Sequence, residues 1–164
     1  MDKLAPSLSQ GVEAAIGKFI ANFSLLEAYL RGIIVEAPNV SAPAGEIITS
    51  EISFRGLINV FGAVVHEYCR DKETIKLTKK VLKDIEKINV FRNSIVHSQW
   101  LPDDYSRAYA VQASVKANRK KGYQERIQRL KRGDLLKKCD EVAGLTYSLS
   151  KIYERIMIEQ GAKG

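Results

Sequence analysis

The apolar residues of this sequence recur at alternating steps of three and four over long stretches, and this spacing constrains the fold most. Two stretches cover about residues 11–35 and 47–69. A third runs over residues 72–98 without glycine or proline, and a fourth begins at Asp134. Because side chains three and four positions apart share one face of an α-helix, each stretch predicts an amphipathic helix.

The pattern changes after Pro102, where strand-like alternation replaces the helical spacing. Apolar residues occupy every second position from Val111 to Val115, and a weaker alternation covers residues 123–130. We therefore expect a β-hairpin insertion at about residues 105–130, between the third and fourth helices. The predicted fold class is mainly α, an antiparallel four-helix bundle with this hairpin insertion, in a single domain over residues 1–164.

The composition agrees with a globular domain. With 164 residues, 45% of them hydrophobic, the chain can bury a core without disulfide or metal crosslinks. No apolar run reaches the roughly 20 residues of a membrane span. The first residues lack a basic region followed by an apolar stretch. We therefore expect no membrane association, no secretory signal and a cytoplasmic location.

Cysteine and histidine do not group at the spacing of a metal site. Cys69 and Cys139 lie in helical patterns with apolar neighbours, which predicts buried free thiols rather than a disulfide. Glycine-rich phosphate loops, nucleotide-binding fingerprints and serine nucleophile elbows do not occur in the sequence. We therefore expect no metal and no cofactor.

The net charge of +7 favours a polyanionic partner such as RNA, because fixed cations displace counterions from a phosphate backbone. Lysines form a stripe along the third predicted helix, and the hairpin turn combines basic residues with an aromatic ring that can stack on bases. The candidate RNA-binding residues are Lys79, Lys83 and Lys87 on the helix, and Arg119, Lys120, Lys121 and Tyr123 in the hairpin. An ordinary solvated surface is the alternative interpretation of the lysine stripe.

Arg92 occupies a position of the third helix where an aliphatic residue is expected. The apolar seam on either side of it consists of Val81, Ile85, Ile88 and Ile95. Burying an unpaired charge is costly. Arg92 therefore either pairs with a carboxylate such as Glu27 or Glu51, fixing the helix register, or faces a cleft where it can bind a phosphate.

His97 follows Arg92 near the predicted end of the same helix. Asn93 lies four residues before His97, so its amide could hydrogen-bond the imidazole and orient it. An imidazole at a helix C-terminus suits acid–base chemistry near neutral pH. We therefore take Arg92, Asn93 and His97 as the candidate catalytic residues.

The sequence Arg92-Asn93-Ser94-Ile95-Val96-His97 resembles the signature of the HEPN superfamily. That signature is an arginine followed after four to six residues by a histidine, often with Asn directly after the arginine. The resemblance extends in outline to the order of helices and insertion. It implies a metal-independent endoribonuclease that acts as a toxin or antiviral effector. Arg92 would bind the scissile phosphate, His97 would act as general base or acid, and Asn93 would support them. The products would carry a 2′,3′-cyclic phosphate and a 5′-hydroxyl.

The spacing of the motif raises the question of quaternary structure. Five residues on a regular helix separate Arg92 and His97 by about 140°, so one protomer cannot direct both at one phosphate without bending. The resemblance implies a homodimer with the active site at the interface, which removes this difficulty, and an antitoxin or nucleotidyltransferase as a further partner. The alternatives are a non-catalytic HEPN-like helical module that binds RNA or a partner protein, and a basic scaffold protein whose motif is coincidental.

Overall fold

The protein consists mainly of helices, with a small antiparallel sheet between the last two. The computed structural model describes residues 8–103, 109–118 and 122–161, and these form five helices and three strands. The elements are α1 (Gln10–Glu36), α2 (Ala42–Ser50), α3 (Phe54–Tyr68), α4 (Lys72–Val96), β1 (Gln99–Pro102), β2 (Tyr109–Asn118), β3 (Gly122–Lys131) and α5 (Arg132–Gly161).

The prediction of one helix over residues 47–69 is wrong, because α2 and α3 divide this stretch. The hydroxyls of Thr49 and Ser50 donate to the carbonyl oxygens of Gly45 and Ile47, at 2.8 Å each. Ser53 then caps α3, its Oγ accepting a hydrogen bond from the backbone N–H of Gly56 at 3.2 Å. Such local side-chain bonds end one helix and begin the next, and apolar periodicity does not reveal them.

Helix α2 also begins before residue 47, which is the predicted start of the second stretch. This helix begins at Ala42 and has a proline in its first turn. Proline is compatible with that position because the first N–H groups of a helix have no intrahelical acceptor. Pro43 therefore lies at the start of α2.

The sheet contains the predicted hairpin and one additional strand. Strand β2 pairs antiparallel with β3, from Tyr109 opposite Lys131 to Asn118 opposite Gly122. Strand β1 pairs antiparallel with the other edge of β2, so the order is β1-β2-β3. The sequence does not predict β1, because four residues are too few to show a clear alternation.

The chain divides into two compact units. The sheet unit comprises Met1–Asn22 and Asn89–Glu141, and the helical unit comprises Phe23–Ile88 and Val142–Gly164. The buried apolar residues of the sheet unit include Val12, Phe19, Ile95, Ala110, Leu135 and Cys139. Those of the helical unit include Leu26, Leu57, Phe61, Ile85, Leu149 and Ile152. Each unit therefore has apolar side chains removed from water.

The two cysteines are buried free thiols, as predicted. Desolvation by burial raises the pKa of both Cys69 and Cys139, which favours the neutral thiol. Across the described part of the chain, no helix combines the length and apolar character that crossing a membrane requires.

Candidate functional site

The candidate motif lies at the C-terminal end of α4, within the sheet unit. The helix ends at Val96, but the backbone N–H of His97 still donates to the carbonyl oxygen of Asn93 at 3.0 Å. His97 therefore follows the last helical residue directly, and its backbone is held by one more helical hydrogen bond.

Two side chains of the sheet bind the end of this helix. The amide Nε2 of Gln112 donates to the carbonyl oxygen of Ser94 at 2.7 Å, and the indole Nε1 of Trp100 donates to that of Ile95 at 2.9 Å. The last carbonyls of a helix lack intrahelical donors, so these two bonds satisfy groups that need partners. These two hydrogen bonds hold the sheet in contact with the end of α4, which carries the motif.

A cleft of about 640 Å³ opens between the end of α4 and the hairpin. Its two walls contribute polar groups in similar numbers. The helix end contributes Val90, Asn93, Ser94, His97 and Ser98, and the strands contribute Ser114, Val115, Gln124, Glu125 and Arg126. The cleft therefore combines an imidazole, a guanidinium, a carboxylate and several hydroxyl and amide groups.

The imidazole of His97 is exposed in this cleft. It makes no hydrogen bond to any residue that the structure describes. Both ring nitrogens are thus available to a bound molecule, and a neutral imidazole offers one donor and one acceptor. Such a group can take a proton from one atom of a substrate and give a proton to another.

Arg92 lies beside the cleft and is partly buried. Its Nη1 donates to Oδ1 of Asn93 at 3.1 Å, and Asn93 lines the cleft. The side chain of Asn93 therefore accepts a hydrogen bond from Arg92, and no hydrogen bond joins it to the imidazole of His97 in the described part of the chain. Glu27, one of the two carboxylates suggested for Arg92, accepts a hydrogen bond from Arg31 at 2.7 Å.

Arg126 lines the cleft, although it is not among the residues predicted from the sequence. Ser114 and Arg126 are opposite each other in the hairpin, and both lie two positions from the Gln112–Gln128 pair, whose Gln112 binds the helix end. Residues at every second position of a strand share one face, so Arg126 is on the helix-facing side. The basic character of the hairpin is visible in the sequence, but the selection of this arginine depends on the strand register.

Those predicted RNA-binding residues that the structure describes do not line the cleft. Lys79, Lys83 and Lys87 are exposed on α4 in the helical unit, and Lys87 forms an ion pair with Asp84 at 2.7 Å. Tyr123 is 68% exposed on β3. Arg119, Lys120 and Lys121 lie outside the described residues. RNA binding by these residues stays a prediction.

No cluster of three or more histidine, cysteine, aspartate or glutamate side chains that could hold a metal ion occurs in the described ranges.

A comparison with protein-family models, with curated proteins and with solved structures finds no match to this chain.

Proposed function

We propose that this protein is a metal-independent endoribonuclease that cleaves single-stranded RNA in the cleft that contains His97. The observation that best supports the proposal is the presence of an available imidazole and a guanidinium, those of His97 and Arg126, in one cleft. The net charge of +7 supports a polyanionic substrate.

The proposed reaction is an attack by a ribose 2′-hydroxyl on the adjacent phosphorus. His97 accepts the proton of the 2′-hydroxyl while the new bond between the 2′-oxygen and phosphorus forms. The bond between phosphorus and the 5′-oxygen then breaks, and an imidazolium donates a proton to that oxygen. The products are a 2′,3′-cyclic phosphate and a 5′-hydroxyl.

In the proposed reaction, the guanidinium of Arg126 stabilises the charge that develops on the non-bridging phosphate oxygens. Arginine binds phosphate in a bidentate manner, and such donors act strongly where charge increases in the transition state. The HEPN resemblance assigns phosphate binding to Arg92. The contact between Arg92 and Asn93 supports a positioning role for Arg92, with Asn93 as the group it holds in the cleft.

The wider biological role rests on the HEPN resemblance. We propose a four-helix HEPN-like arrangement and a homodimer with the active site at its interface. We further propose a role in toxin–antitoxin or antiviral defence systems in the cytoplasm, controlled by an antitoxin or nucleotidyltransferase partner. The homodimer supplies a second His97, so that one imidazole can act as base while the other acts as acid.

The test is cleavage of a labelled single-stranded RNA by the purified protein in excess chelator. Arg92→Ala and His97→Ala should each reduce cleavage strongly while the protein stays folded by circular dichroism. His66→Ala is the matched control, because His66 is the other histidine and is exposed on α3 in the helical unit. Cleavage by both active-site variants at the parental rate would contradict the proposal.

A second function is supported by the position of Arg92. This residue is partly buried, bonds to Asn93 and does not line the cleft, as expected of a structural charge in a non-catalytic module that binds RNA or a partner protein. Such a module would bind RNA in a salt-sensitive way without turnover. Arg92→Ala would then lower stability considerably, whereas His97→Ala would leave it unchanged.

A further inference from the structure

Strand β3 forms one edge of the sheet. The strand order is β1-β2-β3, so one side of β3 has no partner strand among the described residues. This strand is ten residues long, and eight of those residues are exposed. The unpaired N–H and C=O groups of a long exposed edge strand are a template for another strand.

One face of β3 is the side opposite to the face of Arg126, and we call it the outer face. Its side chains follow an order that is nearly self-complementary. Alternate positions of a strand share a face. On the outer face the order is an aromatic residue, an acidic residue, an isoleucine at the centre, and then two basic residues. In chain order these residues are Tyr123, Glu125, Ile127, Arg129 and Lys131. Ile127 is 62% exposed, although isoleucine is usually buried.

We propose that β3 pairs antiparallel with β3 of a second copy of this chain, about a two-fold axis at Ile127. In this register Glu125 lies opposite the partner's Arg129, and Tyr123 lies opposite the partner's Lys131. The two-fold symmetry repeats each pair. Opposite charges and apolar side chains that face each other across strands stabilise a sheet, and the two copies of Ile127 cover one another.

The two registers in which the axis lies one residue before or after Ile127 are less favourable. An axis at Arg126 places two arginines directly opposite each other, which is a repulsive arrangement. An axis at Gln128 places Ile127 opposite the partner's Arg129 and leaves the isoleucines without an apolar partner. Arg129 already forms an ion pair with Asp103 at 2.5 Å, but its side chain is 52% exposed and can donate hydrogen bonds to a second carboxylate.

The pairing affects the cleft directly. Gln124, Glu125 and Arg126 of β3 line the cleft. The side chain of Glu125 lies on the opposite face of the strand from Arg126, and its negative charge at the edge of the cleft opposes phosphate binding. In the paired sheet the partner's Arg129 neutralises this carboxylate. The paired β3 strands thus form the interface of the homodimer, and this part of the inference rests on the proposed function. Crosslinking tests the interface without measuring activity.

The test is disulfide crosslinking of Ile127→Cys under mild oxidation. Residues on the axis have Cα atoms about 4.5–5.5 Å apart, within the range of a disulfide. Tyr123→Cys is the matched control, because Tyr123 is 68% exposed but lies four residues from the axis, so that its two copies are about 26 Å apart. Cys69 and Cys139 are buried in both variants.

We expect Ile127→Cys to give a crosslinked dimer at least about tenfold faster than Tyr123→Cys. The parent should be a dimer by light scattering, and Ile127→Arg should dissociate it. Equal crosslinking of the two cysteine variants, or a parent that is monomeric at all concentrations, would overturn the inference. If the parent does not cleave RNA but Ile127→Cys still crosslinks, the proposed function is contradicted and the inferred interface is not.

Discussion

The guanidinium of Arg92 donates a hydrogen bond from Nη1 to Oδ1 of Asn93 at 3.1 Å. The two residues are adjacent in sequence, but only Asn93 lines the cleft. Arg92 can therefore influence the cleft through the amide that it holds. The motif therefore contains one residue that holds another and a histidine that faces the cleft.

If Arg92 acts through Asn93, the effects of replacing the two residues will not add. We expect Arg92→Ala and Asn93→Ala each to lower kcat/KM for RNA, and the double variant to be little worse than Asn93→Ala alone. The coupling should be about 0.5–3 kcal/mol in a double-mutant cycle. Additive losses would show that Arg92 contacts the substrate independently of Asn93.

Arg126 should contribute one phosphate contact to RNA binding. Arg126→Ala should weaken binding of single-stranded RNA and reduce the slope of log K against log salt by about 0.7, the value for one phosphate on a single strand. Fluorescence anisotropy over a range of salt concentrations measures this slope. Arg55→Ala is the control, because Arg55 is exposed on α3 in the helical unit and should leave the slope unchanged.

The bond between Gln112 and the end of α4 should matter for stability. Gln112 is only 2% exposed, donates to the carbonyl oxygen of Ser94 at 2.7 Å, and accepts a hydrogen bond from Gln128. Gln112→Leu removes both hydrogen bonds, although the carbonyl oxygen of Ser94 keeps the bond from the hydroxyl of Ser98 at 2.5 Å. The change should lower the free energy of unfolding by about 1–3 kcal/mol. Urea unfolding measures the loss. Gln124→Leu, at an exposed position of β3, should change stability by less than about 0.5 kcal/mol.

Glu159 should make stability depend on pH. Its carboxylate accepts hydrogen bonds from the backbone N–H of Arg70 at 2.6 Å, the thiol of Cys69 at 3.1 Å and the backbone N–H of Asp71 at 3.1 Å. These bonds, chiefly that from Arg70, lower the pKa of Glu159 below its ordinary value. Because the folded-state pKa is the lower one, the stabilisation is complete above the unfolded-state pKa and is lost as pH falls through the folded-state pKa.

Glu159→Gln should therefore have a lower Tm than the parent near neutral pH, and the difference should shrink as the pH falls below the ordinary pKa of a glutamate. Thermal unfolding followed by circular dichroism measures both values. Glu86→Gln replaces an exposed glutamate of α4 and should show no such pH-dependent difference. A Tm difference for Glu159→Gln that is constant between neutral and acidic pH would exclude this mechanism.

The sequence predicts those features that depend on local spacing. The long helices α1, α4 and α5 and the hairpin follow from apolar periods of 3.6 and 2. The division into α2 and α3 could not be predicted in this way, because it depends on hydrogen bonds from Thr49, Ser50 and Ser53. His97 could be predicted from the sequence as part of a short motif. Arg126 could not be predicted, since its place in the cleft depends on the pairing of β2 with β3 and on the contact between Gln112 and the helix end.

The most direct test of the proposed function uses a DNA oligonucleotide that contains a single ribonucleotide, incubated with the protein in excess chelator. The parent should cut after the ribonucleotide and leave a 2′,3′-cyclic phosphate, and it should not cut the all-DNA oligonucleotide. His97→Ala should cut at least about a hundredfold more slowly while keeping the Tm of the parent. Cleavage of the all-DNA oligonucleotide, or equal rates for the parent and His97→Ala, would contradict the assignment of His97 as the acid–base group of an RNA-cleaving site.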